Sequence, residues 1–240
     1  MQFDDIATAS RLEGVPSAFA ATRDGIDSLL RDRGLRRSSP DTTAESLLRG
    51  ASATAALEGS TYDVDALRGG EGDALALAAV RMSTELLGLV PVWERAPLQA
   101  LARLHALVGA GRVAAADLGR PASPDGARRL HALAQQVVRP TDAPGLVVAA
   151  VVHAEVAAAQ AFTSDNAIVA RAAERIVIVA KGVDPASVTV PESGHAQAPN
   201  AYARALAAYA DGSEAGAQQW LLYAADAFAR GAEATPLERT

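Results

Sequence analysis

The stretch NAIVARAAERIVIVAKG, residues 166–182, decides the fold class. Its second half, Ile176-Val177-Ile178-Val179, is β-branched and by itself reads as a buried strand. The first half, Asn166 to Arg175, is Ala-rich and runs into it without a break, and Gly182 followed by Asp184-Pro185 supplies a helix stop. The continuous reading is one central helix, buried and apolar on most faces. A dinucleotide-binding α/β sheet would need a Gly-rich turn after an early strand, and none is present. The expectation is an all-α helical bundle with little or no sheet.

Composition supports that reading. About a quarter of the 240 residues are Ala and 4% are aromatic. Ala loses no side-chain entropy in a helix. The length fits one large domain or two small ones, and no linker is long enough to separate two units, so residues 1–240 are expected to form a single domain. A net charge of −6 and a sequence pI near 5.2 argue against a nucleic-acid partner. The basic pairs Arg36-Arg37 and Arg128-Arg129 are too short to make a patch. Zero Cys excludes disulfides, thiol catalysis and Cys-ligated metals. The N-terminus, Met1 to Asp5, lacks a secretory pattern, and no stretch near 18 apolar residues is free of charge. These features predict a soluble cytoplasmic protein with no membrane span.

Helical periodicity extends outward from the central segment. Helices are expected at 17–32, 41–57, 73–89, 98–108, 126–138, 144–160, 166–181, 200–210 and 214–231. Asp41 or Thr42 would cap the second, and Pro91 would end the third. A loop rich in turn formers occupies 109–125. Upstream of the central helix, His153-Ala-Glu155 leads through Gln160-Ala161-Phe162-Thr163-Ser164-Asp165 into Asn166. This is a helix, a short turn and a second helix whose free N–H groups form an anion site. Arg171 lies about 7.5 Å along that second helix. It can reach back to a phosphate or sideways to a carboxylate.

This arrangement resembles the Fic (Fido) family of adenylyl transferases, whose helix–loop–helix carries His-Pro-Phe-x-Asp/Glu-Gly-Asn-Gly-Arg-x-x-Arg. Phe162, Asn166 and Arg171 match that pattern. Gln160 takes the His position, Ala161 the Pro, Ser164 the acidic position, Asp165 and Ala167 the two Gly positions, and Ile168 the first Arg. His153, seven residues before Gln160, stands where the family often has a second His. Thr54-Ala-Ala-Leu-Glu58-Gly59 fits the family's inhibitory-helix pattern, Ser/Thr-x-x-x-Glu-Gly/Asn. Leu104-His105 and Gly119-Arg120-Pro121 look like the helix before the motif and its following loop. The resemblance implies an inhibitory helix at about 41–59, a Fic core at 97–211 and a C-terminal helix at 212–240. The loop at 109–125 would be the target-docking flap, here without a β-hairpin signal.

The resemblance also implies a chemistry that the substitutions undercut. Gln160 has no titratable nitrogen and cannot serve as the general base. Ser164 is a weak ligand for the Mg²⁺ that would accompany ATP. Asp165 and Ala167 add bulk where phosphate would approach the backbone, and Asp165 adds a negative charge that could satisfy the helix end itself. Ile168 removes a phosphate-binding Arg. Ser164, Asp165, Asn166 and Arg171 therefore mark the nucleotide or anion subsite by resemblance only, as do ATP and Mg²⁺. Glu58, the inhibitory residue, should meet Arg171 as a partly buried ion pair.

Two functions are compatible with these residues. One is a pseudoenzyme that acts as a protein-interaction module, its partner unidentified and a homodimer permitted. The other is altered nucleotide or phosphate-ester chemistry through Asp165, Glu155 or His153. Taken alone, Glu58-Gly59 reads as a helix C-terminus, Arg171 as a helix-paired Arg, His153 as a hydrogen-bonded helix His and Phe162 as a core plug. Trp93, Trp220, Tyr202, Tyr209 and Tyr223 are expected in the core or at a dimer face. His105, His131 and His195 show no metal-ligand spacing, so no metal is expected.

Overall fold

Residues 6–34 and 38–238 are described by a computed structural model. The Met1–Asp5 segment and the Arg36-Arg37 pair, both read above, lie outside them. The elements are α1 (Ile6–Ala9), α2 (Val15–Asp32), α3 (Pro40–Leu57), α4 (Val64–Arg68), α5 (Ala74–Leu86), α6 (Val90–Arg95), α7 (Pro97–Gly109), α8 (Pro124–Val137), α9 (Gly145–Ala159), α10 (Asn166–Ala180), α11 (Pro191–Ala196), α12 (Pro199–Ala210) and α13 (Glu214–Glu233). No strand occurs among the described residues. The β-branched run Ile176–Val179 is the last turn of α10, with Ile176, Val177 and Ile178 buried.

Helix starts follow side-chain chemistry. Ser39, and not Asp41 or Thr42, caps α3: its hydroxyl accepts the Thr42 N–H, and the Thr42 hydroxyl accepts the Ser39 N–H. Pro40 fits the first helical position because no N–H is needed there. Asp73, Ser123 and Ser213 cap α5, α8 and α13 one way only, each side chain accepting the N–H of the third helical residue. Pro91 does not end the third expected helix. A 3₁₀ turn, Leu87–Leu89, carries α5 into α6, and Pro91 sits in the first turn of α6. The short helices α1, α4 and α11 carry too few residues for periodicity to reveal them.

The central layer is α9 and α10, folded back on each other across a short turn. From Leu146 to Ala157 every residue of α9 is buried. Around this pair, α12 and α13 pack together on one side, α8 covers α9, and α3 packs on α5 and α11. The continuous helical run Ala74–Arg95 has a mean hydropathy of 1.5 and is long and apolar enough to cross a membrane by length and composition. Here its Ala78, Met82, Leu86 and Trp93 join the core, while Arg81 donates to the Leu107 and Ala110 carbonyls. Arg81, Glu85, Glu94 and Arg95 are the charges within this run.

One buried polar joint fixes α3. Arg175 on α10 donates two bonds to Glu192, at 2.8 and 2.6 Å, and a third to Ser46 of α3 at 3.1 Å. Ser46 in turn donates to the Thr189 carbonyl at 2.8 Å. Gly50 lies directly over the ion pair: a Cβ there would stand 2.8 Å from Arg175 Nη2 and from Glu192 Oε2. Gly50→Ala is therefore expected to lower stability by about 1–3 kcal/mol. Gly25→Ala, an exposed mid-helix site with nothing within 4 Å, is expected to raise it by about 0.5–1 kcal/mol. Urea unfolding of the two variants measures both effects.

Candidate functional site

The turn between α9 and α10 is built by two residues in the left-handed region, Gln160 (φ 43°) and Asp165 (φ 60°). Asp165 stands at a position where the resemblance expects Gly, and it adopts the conformation Gly favours; Asp tolerates it better than most residues. Asn166 closes the loop from inside. Its Oδ1 accepts the Phe162 N–H and its Nδ2 donates to the Phe162 carbonyl, both at 2.9 Å. Phe162 is buried and stacks on His105, with ring centroids 4.3 Å apart. His105 Nδ1 accepts the Gly119 N–H at 2.9 Å, and the Ala122 N–H donates to the Ala161 carbonyl. The 119–122 segment is thus tied to the turn without forming a hairpin. Beside it lies an apolar groove of about 690 Å³, lined by Leu98, Ala102, Pro121, Leu130 and Phe162.

The candidate residues of the turn are turned toward protein partners. Gln160 Nε2 donates to the Ala157 carbonyl at 2.6 Å. Asp165 does not cap α10 with its side chain, contrary to the expectation that it would satisfy that helix end. Its left-handed backbone accompanies a different placement of the carboxylate, in contact with Arg112 (3.0 Å) and the Ser164 hydroxyl (2.8 Å). Ile168 is fully buried. Arg171, also fully buried, donates from Nη2 to Glu58 Oε1 at 2.6 Å and from Nη1 to Tyr202 Oη at 3.1 Å. Glu58 follows the last residue of α3, and Gly59 (φ 93°) turns the chain away after it. The expected contact between Glu58 and Arg171 is present.

Beyond Arg171 the polar contacts continue into the core. His153 lies between Tyr202 Oη (2.9 Å from Nε2) and Glu174 Oε2 (2.5 Å from Nδ1). His195 Nε2 contacts both Glu174 oxygens at 3.1 and 3.3 Å, and its Nδ1 contacts Tyr223 Oη at 3.1 Å. One proton arrangement satisfies every pair: each Tyr hydroxyl donates to an imidazole, and each imidazole donates to Glu174. Burial pushes the His153 pKa below its ordinary value, despite the neighbouring carboxylate. Burial alone would raise Glu174, but the two imidazoles outweigh it and hold the carboxyl below the usual range. Glu155, two residues from His153, is engaged elsewhere, with Arg129 at 2.6 Å and Tyr209 Oη at 2.6 Å. The sequence reading missed Arg112, Glu174, Arg175 and Glu192 because their partners lie on other elements, mostly far along the chain.

The helical fold has a structural counterpart. A crystal structure of a Fic family protein from Desulfovibrio desulfuricans G20 matches with a TM-score of 0.73, covering 90% of this chain and 73% of that one at 18% sequence identity. The chain has a Fic-type fold. No protein-family profile matches the sequence, and no curated protein matches it. Within the Fic-type fold, the α9–α10 turn and the end of α3 meet through Arg171 and Glu58.

Two outcomes follow from this geometry. Asn166→Ala strips partners from two buried backbone groups of Phe162 and should cost about 2–4 kcal/mol, read by chemical denaturation. Acid should also destabilise the fold. His153 and Glu174 both have folded pKa values below their unfolded ones, so the unfolded chain takes up protons first as pH falls. Stability is expected to be full at neutral pH, to decline below pH ~6.5 as the unfolded-state imidazole protonates, and to decline further below pH ~4.3. Thermal melts across pH 3–8 in chelator-containing buffer check the direction.

Proposed function

We propose that this chain is a Fic-fold protein without adenylyl-transfer activity that works through a protein partner. The observation that carries this reading is the fully buried Arg171, held by Glu58 at 2.6 Å and by Tyr202 at 3.1 Å. The residue that the resemblance would direct to phosphate is already neutralised from within the protein. The substitutions around it support the same conclusion. Gln160 stands at the general-base position and has no proton-accepting nitrogen to offer a target hydroxyl.

The residues of the turn do not fit Mg·ATP. The Ser164 hydroxyl is a poor substitute for a carboxylate ligand. The Asp165 carboxylate is already paired with Arg112 and occupies the head of α10 with negative charge, which disfavours phosphate. Reaction steps through nucleotide or metal at this turn therefore have no support. The alternative of altered phosphate-ester chemistry has none either, because His153 and Glu155 are buried and committed to Glu174, Tyr202, Arg129 and Tyr209.

Calorimetric titration of Mg·ATP into the wild type and Glu58→Gly tests the reading. Neither protein is expected to give binding heat at millimolar nucleotide. Heat from Glu58→Gly alone would instead identify a live nucleotide site guarded by α3, and would overturn the proposal. The same variant leaves a buried guanidinium without its carboxylate. Since Glu58 is about a third exposed, solvent screens part of that loss, and a stability decrease of about 1–3 kcal/mol is expected in urea.

A further inference from the structure

We propose that His153, Glu174 and His195 hold one divalent transition-metal ion of the zinc class in a closed structural site. The three side chains come from α9, α10 and α11, and all are fully buried. One ligand atom from each lies within 4.8 Å of the others. Two imidazole nitrogens and a carboxylate are a donor set suited to zinc. Both oxygens of Glu174 face His195, so a chelating carboxylate and two imidazoles provide four donor atoms without water. With both Glu174 oxygens bound no position is left for water, which is the property of a closed site.

The two separations that involve Glu174 are close to what coordination requires, and the widest in the set, within 4.8 Å, must close by about 1.5 Å. Zinc bonds of roughly 2.0–2.2 Å at tetrahedral angles place neighbouring donors about 3.3 Å apart. The His195–Glu174 separations of 3.1 and 3.3 Å already meet this. His153 Nδ1, at 2.5 Å from Oε2, must withdraw by less than about 1 Å, which the end of a side chain can supply.

The outer nitrogens carry the second argument. A ligating imidazole donates its other N–H to an oxygen that fixes its orientation. His153 Nε2 faces Tyr202 Oη at 2.9 Å, and His195 Nδ1 faces Tyr223 Oη at 3.1 Å. On binding, each neutral ring moves its proton from the inner to the outer nitrogen, where the phenol oxygen accepts it once its own hydrogen has turned away, and no net proton is released. Glu174 supplies one negative charge toward the ion. Arg171 is engaged by Glu58 and Arg175 by Glu192, whereas the described side-chain partners of Glu174 are the two imidazoles.

The full-length protein, unfolded, stripped with chelator and refolded with or without Zn²⁺ or Co²⁺, tests this. One equivalent of Co²⁺ per chain after dialysis, with visible ligand-field absorption, is expected. With Zn²⁺ the unfolding midpoint should rise by about 5 °C or more. His195→Gln should abolish both responses. Tyr223→Phe removes only the oxygen behind His195 and should weaken binding by about 10–100-fold. Less than a tenth of an equivalent on the refolded wild type, with no change in midpoint, would overturn the site whatever the variants do. It would mean that protons alone hold the cluster together. Undiminished affinity in Tyr223→Phe would overturn the role given to His195.

Discussion

A guanidinium with no access to water, Arg171 in the middle of α10, constrains much of this structure. Leaving such a charge unpaired would cost several kcal/mol, so its surroundings must bring it partners. Glu58 comes from the end of α3 and Tyr202 from α12, which places two peripheral helices relative to the central one. Tyr202 then meets His153, His153 meets Glu174, and Glu174 meets His195. The need to satisfy one buried cation is thus passed along a row of polar groups that crosses the core from α3 to α13.

A second buried charge keeps the first pair in register. Arg175 lies one helical turn beyond Arg171 and ties α3 to α11 through Ser46 and Glu192. With α3 held there and Gly50 giving the ion pair room, the end of the helix carrying Glu58 has little freedom to withdraw. Buried ion pairs seldom exceed well-packed apolar groups in net stability, but they specify one arrangement strongly because mismatched alternatives leave charges bare. In this chain the arrangement they specify keeps Glu58 on Arg171.

The α9–α10 turn shows the same inward direction at its other end. Its backbone frame is kept by Asn166 and Phe162, with Asp165 adopting a left-handed conformation. Its charges, however, are directed at protein: Asp165 to Arg112, and Arg171 to Glu58. A helix-head turn with its cation neutralised and a carboxylate beside it is chemically suited to holding its own shape. This is why the functional reading rests on the pairing of side chains and not on the fold, since one fold hosts many activities.

The helical class was legible because it depends on local chemistry. Alanine content and the uninterrupted passage from Asn166 to Ala180 both act within a few residues of themselves. The contact between Glu58 and Arg171 was also legible, as an expectation drawn from the resemblance. Other features were not. The pairing of Asp165 with Arg112 spans 53 residues, and Glu174 meets two imidazoles each 21 residues away on different helices. Spacing carries information only when one element's geometry fixes the distance between two side chains. Across separate helices, packing alone decides who meets whom, and packing placed these charges inside, against one another.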